Sequence, residues 1–522
     1  MLEYMRITYM PPAWRSASER VGDWVEIWQR YSQLEAAEQA SRCITCNDRP
    51  CQTSCPLGQD PPEWLRAAAE GRLEDAHHLA FPLSPMYGYL GKLCPQDEGL
   101  CQTGCTVHRV TEAAGMEEYN TIGIGAGEAD IWENAVKAGK IYWKSPPRKT
   151  GKFVGVIGAG IAATYAAISL MQEGHDVTMI DPHDGIGGLI RYGIPDFKAQ
   201  KNDLDVVQNG MVGAGIHFKF GHIVIPHGHD TRSWRDAFND KPESFRQAAL
   251  TPIPFADLLN KYDAVLDASG AYKPNQITYT ENQPIEGYGH VVQAMDFLTS
   301  YNKMVRFAGV NVSQEEGGRY VPPQHRVAGK RIVIIGAGGD TGQDCIRTAL
   351  RAGASEVTCL HRSDVMRAAK KEVKAAHQES DALLAAGAGK GMEFSFSVHP
   401  IKIEKVGDEY IVYVQKNDGS VDRIHTDLVV SAVGFKNENK NPGDFARKWG
   451  VPDLQVFDGT STSIANLFVG GDASLGASLL VRAGTHARQG ADVIDAYLRM
   501  RVPSRKRMVQ ETLRSHNLLS AA

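Results

Sequence analysis

The sequence predicts an α/β protein in which two Rossmann-like dinucleotide-binding folds follow an α-helical, cysteine-rich domain. Three observations predict this architecture. Two apolar runs of buried-strand type each lead into a glycine-rich loop and then a helical stretch. Seven of the nine cysteines lie between Cys43 and Cys105. The 522 residues are enough for about two to four domains.

Composition and charge exclude several classes of protein. Hydrophobic residues make up 43% of the chain and charged residues 22%, which is ordinary for a protein with a packed core. The formal net charge of -5 offers no basic face for nucleic acid, and the short basic run 501–507 is typical of a solvated tail. The chain does not begin with a secretory pattern, and it has no stretch of about 18 apolar residues. We therefore expect a cytoplasmic protein that binds neither nucleic acid nor a membrane.

The clustered cysteines have the spacing of metal–thiolate ligands. Four of them form a dense first group, and three more follow after a pair of predicted helices. Close-spaced thiolates followed by proline are typical of ferredoxin-type iron–sulfur ligation. The full pattern is Cys43-x2-Cys46-x4-Cys51-x3-Cys55-Pro56, then Cys94-Pro95, then Cys101-x3-Cys105.

Two other uses of these cysteines are less favoured. A reducing compartment and the odd count of seven argue against disulfides. Structural zinc prefers two symmetric, short-spaced pairs, and a single Cys-x2-Cys is only half of that pattern. Iron–sulfur clusters are therefore the favoured interpretation, with zinc as the alternative. The remaining Cys345 and Cys359 lack ligand spacing and have apolar neighbours, which is typical of small core residues.

The first glycine-rich loop lies in a complete strand–loop–helix–strand unit. The apolar run 153–157 precedes it, and the second strand of the unit ends at Asp181. Gly158 allows a tight turn, Gly160 lets the backbone approach a pyrophosphate, and Ala163 lets the helix pack on the strand. The helix N-terminus attracts the phosphates, and Asp181 can accept hydrogen bonds from a ribose diol. The unit predicts a site for FAD or NAD.

A second unit follows the apolar run 331–335. The strand after its helix ends in His361-Arg362 instead of an acid. An arginine there can pair with a 2′-phosphate, which a carboxylate would repel. The second unit is therefore predicted to bind NADPH in preference to NADH. Its loop is one residue longer than the six-residue fingerprint and contains Gly336, Gly338, Gly339, Asp340, Thr341 and Gly342.

A segment near the C-terminus distinguishes the two units. Residues 466–469 predict a strand that ends in Gly470-Gly471-Asp472, and a helix follows from about Ser478. In flavoproteins with two dinucleotide folds, such an aspartate contacts the ribityl chain of FAD. The first unit then suits FAD and the second suits NADP. A strand that ends in Gly-Asp is also a common turn, so the pair counts only in combination with the two loops.

Together these motifs resemble one known family. The cysteine pattern is similar to the N-terminal iron–sulfur domain of the small (beta) subunit of glutamate synthase, a domain that also occurs in dihydropyrimidine dehydrogenase. The similarity keeps the same order over about residues 20–500. It rests on Cys94-Pro95-Gln96-Asp97, Gly187-Gly188-Leu189-Ile190-Arg191-Tyr192-Gly193-Ile194-Pro195, Ala268-Ser269-Gly270, Gly339-Asp340-Thr341-Gly342-Gln343-Asp344-Cys345, Ala432-Val433-Gly434-Phe435, and Gly470-Gly471-Asp472 with Gly476-Ala477-Ser478-Leu479.

The resemblance implies cofactors and a route for electrons. NADPH on the second fold would give a hydride to FAD on the first, and two 4Fe–4S clusters would pass single electrons to a partner. In glutamate synthase that partner is a large subunit with FMN, which reduces 2-iminoglutarate. No catalytic side chain is implied, because the chemistry belongs to the bound cofactors. Beyond the first loop, the flavin site would include Gly188, Leu189, Arg191, Gly471, Asp472, Ser478 and Leu479.

The resemblance also divides the cluster ligands into two sets. The seven cysteines leave one of eight places to a carboxylate, and Glu128 occupies the place where relatives carry a Glu or Gln ligand. A plain surface carboxylate at a helix start is the alternative for Glu128. The two implied sets are Cys43, Cys46, Cys51 and Cys105, and Cys55, Cys94, Cys101 and Glu128.

The expected organisation has three parts and a tail. An α-helical iron–sulfur domain is expected over 1–145, and a C-terminal tail over 501–522. A discontinuous FAD domain over 151–290 and 430–500 would enclose an NAD(P)H domain over 291–429. Three features depart from the family pattern, and the longer second glycine loop is one of them. Six residues separate Cys94 from Cys101, one more than expected, and 222–255 is an apparent insertion for which a solvated loop is favoured over a metal site.

Three functions remain open at the level of sequence. The first is the electron-input subunit of a glutamate synthase with a large-subunit partner. The second is an NADPH oxidoreductase that delivers electrons to a ferredoxin-like acceptor or a pyrimidine-reducing partner. The third is a scaffold protein with structural clusters, against which the two intact dinucleotide fingerprints argue.

We expect NADPH to reduce the bound flavin far more effectively than NADH, because Arg362 can pair with the 2′-phosphate that only NADPH carries. Separate anaerobic titrations with each nucleotide, followed by the visible flavin absorption, measure this preference. Equal reduction by both nucleotides would contradict the role of Arg362. A flavin that neither nucleotide reduces would contradict the electron-input mechanism.

Overall fold

A computed structural model of the chain describes residues 3–96, 100–116, 121–238, 249–280, 283–435, 442–500, 502–516 and 518. Asp97 of the family motif, the centre of the segment 222–255 and part of the segment 501–522 therefore lie outside the described residues. Within the described chain, no helix combines the length and apolar character needed to cross a membrane.

The N-terminal part is a bundle of short helices. Ser16 and Ser32 each open a helix with a capping box, in which the serine oxygen accepts from a backbone N–H and a glutamate reaches back. The longest helix buries Ile131 and Trp132 in the centre of the bundle. The helices are α1 (Ala17–Val21), α2 (Gln33–Ser41), α3 (Pro50–Ser54), α4 (Pro61–Ala69), α5 (Leu73–Ala80), α6 (Tyr87–Leu93), α7 (Cys101–Gly104), α8 (Thr106–Ala113) and α9 (Ile124–Lys137).

A seven-stranded sheet forms the core of the first dinucleotide unit. Its strand order is β17-β18-β19-β6-β1-β2-β3, and β1 pairs in parallel with both β2 and β6. These strands are β1 (Phe153–Ile157), β2 (Asp176–Asp181), β3 (His217–Phe220), β6 (Ala264–Asp267), β17 (Val456–Phe457), β18 (Ser461–Thr462) and β19 (Leu467–Val469). Its helices are α10 (Ile161–Gln172), α11 (Leu189–Tyr192), α12 (Asn202–Gly213), α13 (Phe255–Lys261), α18 (Pro442–Trp449), α19 (Asp472–Leu475) and α20 (Leu480–Leu498).

A five-stranded parallel sheet forms the second unit, which is inserted between β6 and β19. Its strand order is β12-β11-β10-β16-β9. The strands are β9 (Val292–Gln293), β10 (Arg331–Ile335), β11 (Glu356–His361), β12 (Met392–Phe396) and β16 (Leu428–Ser431), and the helices are α14 (Ala294–Ala308), α15 (Gln314–Gly317), α16 (Asp340–Arg351) and α17 (Lys370–Ala385). An antiparallel sheet of β13 (Val398–Val406), β14 (Glu409–Lys416) and β15 (Val421–Thr426) lies beside it, and β4 (His222–Ile225), β5 (Thr251–Pro254), β7 (Thr278–Thr280) and β8 (Gln283–Pro284) form two small pairs.

Two expected boundaries shift in the structure. Strand β16 belongs to the second sheet, so the chain returns to the first unit after Ser431 rather than at residue 430. The segment expected to be a tail forms α21 (Val502–Ser515), and Leu513 and Leu518 are buried against the first unit. The apolar Leu513 and Leu518 stabilise this packing, so the segment is not simply a solvated tail.

Seven charged side chains, six of them buried and Lys198 partly buried, cluster where the three parts of the chain meet. Arg351 Nη1 lies 2.6 Å from Glu379 Oε2, and Arg347 Nη2 lies 3.0 Å from Glu379 Oε1. Burial by itself would raise the pKa of Glu379, but the two arginines outweigh it and hold the pKa at about 2. We call this cluster the ionic junction; its members are Arg20, Lys198, Asp344, Arg347, Arg351, Glu372 and Glu379.

Candidate functional site

The first glycine-rich loop connects β1 to α10 in the geometry of a phosphate site. Gly158 has a φ of +106°, and a Cβ there would lie 2.6 Å from the carbonyl oxygen of Ala268. Gly160 begins the helix, and a Cβ on it would meet only the Cα of Gly188, at 3.8 Å. The turn therefore requires glycine at 158, whereas the space above Gly160 is open for a ligand. Ala163 is fully buried under the strand.

A narrow cleft brings the first loop together with three other predicted positions. Asp181 Oδ2 accepts a hydrogen bond from the Ala159 N–H at 2.8 Å, which ties the end of β2 to the loop. Tyr272 also lies in this cleft, although it was not predicted from the sequence. The charges of Asp181 and Asp472 both raise the pKa of Tyr272. The cleft is lined by Gly158, Gly160, Asp181, Leu189 and Asp472, and also by Ala268, Ser269, Gly270, Tyr272, Leu480 and Ala483.

Asp472 lies at the start of α19, where β19 ends. Gly471 has a φ of +63°, and a Cβ there would lie 2.4 Å from that of Ala162 on α10, so glycine is required. Burial raises the pKa of Asp472 to about 6, although Ser478 Oγ donates a hydrogen bond to its Oδ1 at 2.5 Å. Leu479 caps the N-terminus of α20. A ribose or ribityl hydroxyl would supply hydrogen bonds that this half-desolvated carboxylate lacks.

Two predicted flavin residues support the loop rather than the cleft. Gly188 has a φ of +50° and packs against Gly160. Arg191 is buried, its Nε donates to the Ile186 carbonyl at 2.6 Å, and its Nη2 lies 2.6 Å from Asp205. Its guanidinium thus holds the segment that carries Leu189.

The second loop has the same geometry with one residue added. Gly336 has a φ of +88°, and a Cβ there would lie 2.6 Å from the Ala432 carbonyl oxygen. Helix α16 is capped by Gly339, and a Cβ on Gly339 would meet no atom within 4 Å. Gly342 packs against the Gly336 carbonyl three residues after the cap, as Ala163 follows Gly160. The added residue lies before the helix cap, so the cap and its small third residue keep their spacing.

The residues around the second loop leave an exposed arginine at its edge. The His361 ring covers Gly338, where a Cβ would lie 2.3 Å from the ring, and His361 Nε2 lies 2.9 Å from the Val365 carbonyl. Asp340 Oδ1 accepts from the Ala369 N–H at 3.0 Å, while Thr341 lies in the first turn of α16. Arg362 follows β11 and is exposed. His361 and Asp340 therefore shape the loop, and Arg362 is available for a phosphate.

The seven clustered thiols form two sets, which are defined by the neighbouring charges that raise the pKa of each thiol. Burial raises the pKa of Cys43 to about 11 and that of Cys51 to about 12, and Cys46 and Cys105 are among the neighbours that raise both further. These four cysteines are the outer set; Cys43 and Cys46 are partly exposed. Thr106 Oγ1 lies 3.6 Å from Cys46 Sγ, as a donor to a thiolate would.

The second set joins three thiols to the predicted carboxylate. Burial raises the pKa of Cys55, Cys94 and Cys101, and Glu128 is a charge that raises all three further. We call these four residues the inner set. Glu128 is buried, its pKa is raised to about 8, and its Oε2 accepts from Gln96 Nε2 at 2.9 Å. The alternative of a surface carboxylate at a helix start is therefore wrong.

Close helix crossings assemble the inner set. A Cβ on Gly91 of α6 would lie 2.6 Å from the Gly125 carbonyl oxygen of α9 and 2.8 Å from Glu128 Cβ. Helices α6 and α9 can therefore cross at backbone contact distance, which brings Cys94 at the end of α6 beside Glu128. Gln96 belongs to the motif Cys94-Pro95-Gln96-Asp97 on which the resemblance rests, but it was not predicted to be a site residue.

No three His, Cys, Asp or Glu side chains of the described chain converge on one position suited to a single metal ion. A multi-iron cluster, in contrast, bridges thiolates that stand apart from one another. The sets of four donors fit such a group in donor chemistry. The zinc alternative gains no support from this arrangement.

Comparisons with known proteins identify the two domains in which these residues lie. Residues 20–137 match dihydropyrimidine dehydrogenase domain II, which has a 4Fe–4S cluster, and residues 152–491 match the pyridine nucleotide-disulphide oxidoreductases. The fold and sites thus define a pyridine nucleotide oxidoreductase with an N-terminal iron–sulfur domain.

Proteins of similar sequence show which family within this class the chain belongs to. The chain is 32% identical to the glutamate synthase (NADPH) small chain of Azospirillum brasilense over 95% of its own length and 96% of that protein. It is 30% identical to the corresponding chain of Escherichia coli, with 95% and 98% covered. The putative oxidoreductase AegA of Escherichia coli is 31% identical, with 89% and 66% covered. The chain belongs to the family of glutamate synthase (NADPH) small chains and is an NADPH-dependent oxidoreductase.

A methyl group added at either helix cap should weaken cofactor binding without lowering the stability of the fold. We expect Gly160→Ala to lower the bound FAD at least tenfold and Gly339→Ala to raise the KM for NADPH at least tenfold, because each methyl group enters the space of a phosphate. Flavin absorbance per chain and steady-state kinetics measure the two effects.

Gly213→Ala is the matched control, since a Cβ there also meets no atom within 4 Å. All three variants should keep the thermal unfolding midpoint of the parent protein. Full FAD content in Gly160→Ala, or an unchanged KM in Gly339→Ala, would contradict the assignment of that loop.

Proposed function

We propose that this chain is the electron-input subunit of a glutamate synthase, and that it transfers electrons from NADPH to a large-subunit partner through two iron–sulfur clusters. The observation that carries the proposal is the separation of eight donor side chains, five of them buried and three partly exposed, into two sets of four near a flavin-type cleft. Membership of the small-chain family supports the choice of partner.

The residues of the chain would hold the cofactors in a defined arrangement. When bound, FAD would take a hydride from NADPH, and 4Fe–4S clusters would carry its electrons one at a time. Gly160 and Asp472 would hold FAD at the first sheet, and Gly339 and Arg362 would hold NADPH at the second. No side chain needs to act as a nucleophile or a general base. The role of the protein is to orient the two dinucleotides and to exclude water from between them.

The position of the two sets supports an order for the electron path. The charges of Cys94 and Glu128 raise the pKa of Tyr165 on α10. The Tyr165 hydroxyl lies 2.6 Å from Ser84 Oγ. Helix α10 begins at the phosphate loop of the flavin cleft, so the inner set adjoins the flavin domain. The outer set contains two partly exposed thiols, Cys43 and Cys46, whereas the inner set contains one, Cys55. We infer that electrons pass from the inner to the outer set and leave near Cys46.

An oxidoreductase with a different acceptor is the second candidate. It is favoured by the similarity to the putative oxidoreductase AegA, whose 31% identity is close to the 32% of a glutamate synthase chain. Identity alone therefore does not distinguish the acceptors. Ferredoxin and a pyrimidine-reducing partner belong to this second candidate.

The test is to combine the purified chain with the glutamate synthase large subunit of its own organism. We expect NADPH-dependent formation of glutamate from 2-oxoglutarate and glutamine, which neither subunit supports alone. In Cys43→Ala this activity should fall at least a hundredfold while NADPH–ferricyanide reduction persists. The variant removes a ligand of the outer set, through which electrons would leave, and does not change the flavin site. Cys359→Ala, which removes a buried thiol outside both sets, is the control and should keep both activities.

Each alternative outcome has a definite meaning. Ferricyanide reduction without any glutamate formation in the parent protein would contradict the glutamate synthase assignment and favour another acceptor. Full glutamate formation in Cys43→Ala would contradict an exit through the outer set.

A further inference from the structure

A cavity of about 930 Å³ lies outside both dinucleotide sites. Three parts of the chain enclose it: the N-terminal arm (residues 9–31), the crossing of α6 and α9, and one face of α17. The inner-set residue Cys94 reaches its wall. The volume is in the range of about 300–1,000 Å³ that small-molecule sites occupy. Neither the flavin cleft nor the second glycine loop contributes residues to this wall.

One wall of the cavity is aromatic and cationic. The indoles of Trp14 and Trp28 pack edge to face with their centroids 5.4 Å apart. Arg20 and Lys374 lie over the Trp14 ring, at 5.1 Å and 5.6 Å from its centroid. Such rings offer a flat surface for another ring, and the cations beside them favour negative charge.

Two residues of the cavity wall have buried polar atoms without hydrogen-bond partners among the described residues. Arg20 is only 1% exposed, yet its Nε and Nη1 make no hydrogen bond with the described residues; Nη1 lies 3.5 Å from Glu379. Gln96 Oε1 is likewise buried without a donor from the described chain. Unsatisfied groups of this kind are rare in folded proteins, and both residues belong to the cavity wall.

The balance of charge around the cavity favours an anion. The adjoining ionic junction has four cations and three carboxylates, namely Arg20, Lys198, Arg347 and Arg351 with Asp344, Glu372 and Glu379. Lys371 and Lys374 of α17 add two ammonium groups, and among the described residues neither has an ion pair. Asp130 and Asp381 are the acidic groups on the wall.

We propose that this cavity binds a small planar anion, a ring that packs against Trp14 and Trp28 and carries an acidic group for Lys371 and Lys374. The ligand would lie between the second dinucleotide unit and the inner set. Helix α17 begins at Lys370, directly after the segment that covers the second glycine loop, so the ligand would contact the helix that follows the nucleotide site. The proposal does not depend on the identity of the electron acceptor.

Anthraquinone-2,6-disulfonate, a planar aromatic dianion, is a suitable probe. We would titrate it by calorimetry into the oxidised holoenzyme, with saturating NADP⁺ present so that the nucleotide site is filled. One probe molecule should bind per chain. In the double variant Lys371→Gln/Lys374→Gln the Kd should rise at least tenfold, and Trp14→Leu should weaken binding similarly.

The control is Lys390→Gln/Lys416→Gln, which removes two exposed lysines of the second unit far from the cavity. Its Kd should equal that of the parent protein. Absence of saturable binding, an unchanged Kd in Lys371→Gln/Lys374→Gln, or binding that disappears when NADP⁺ is added would overturn the proposal. NADPH–ferricyanide activity, measured on the same samples, reports separately on the electron-input function. If Trp14→Leu unfolds the arm, the lysine variant alone decides.

Discussion

The energetic cost of placing eight acidic donors, buried or partly buried, in one small helical domain governs this structure. Burial raises the pKa of Cys43 to about 11, that of Cys51 to about 12 and that of Glu128 to about 8, so the protein alone keeps these groups protonated. Iron can replace those protons, because a cationic cluster stabilises the thiolates that the apolar surroundings disfavour. Cofactor assembly and the stability of this domain are therefore coupled.

The packing of the domain follows from the need to bring these donors together. Gly91 and Gly125 allow α6 and α9 to cross at backbone contact, and Gly104 packs against Ser54 where α3 meets α7. Cys51 and Cys55 on α3 thus lie beside Cys101 and Cys105 on α7, although about 50 residues separate the two pairs in sequence. The charge of Cys51 raises the pKa of Cys101, which indicates that the inner and outer sets are neighbours.

Local patterns made much of the architecture predictable. Both glycine loops and their flanking strands follow from short runs of sequence, and the structure places Gly158 and Gly336 in the left-handed conformation that their turns require. The resemblance to a family located Glu128, which no spacing rule could identify. The burial of Glu128 depends on the crossing of α6 and α9 at Gly91. A sequence pattern does not reveal that contact between two helices.

The missed features all depend on distant parts of the chain. Arg20 meets Glu379 across more than 350 residues, and Tyr272 reaches both Asp181 and Asp472 only once the first sheet is assembled. The burial of Leu513 also depends on residues from the first unit. Charged and aromatic residues at such positions resemble ordinary surface residues in sequence, because burial and pairing are set by tertiary packing.

The central claim is that two sets of donors hold two clusters in series. Mössbauer spectroscopy of ⁵⁷Fe-enriched Glu128→Ala tests it directly, with Glu112→Ala as the control because Glu112 is exposed on α8 of the same domain. The account predicts that Glu128→Ala loses one of two 4Fe–4S spectral components and half of its iron, and that NADPH no longer reduces the remaining cluster. A full iron content with an unchanged spectrum, or rapid reduction of the remaining cluster by NADPH, would contradict it.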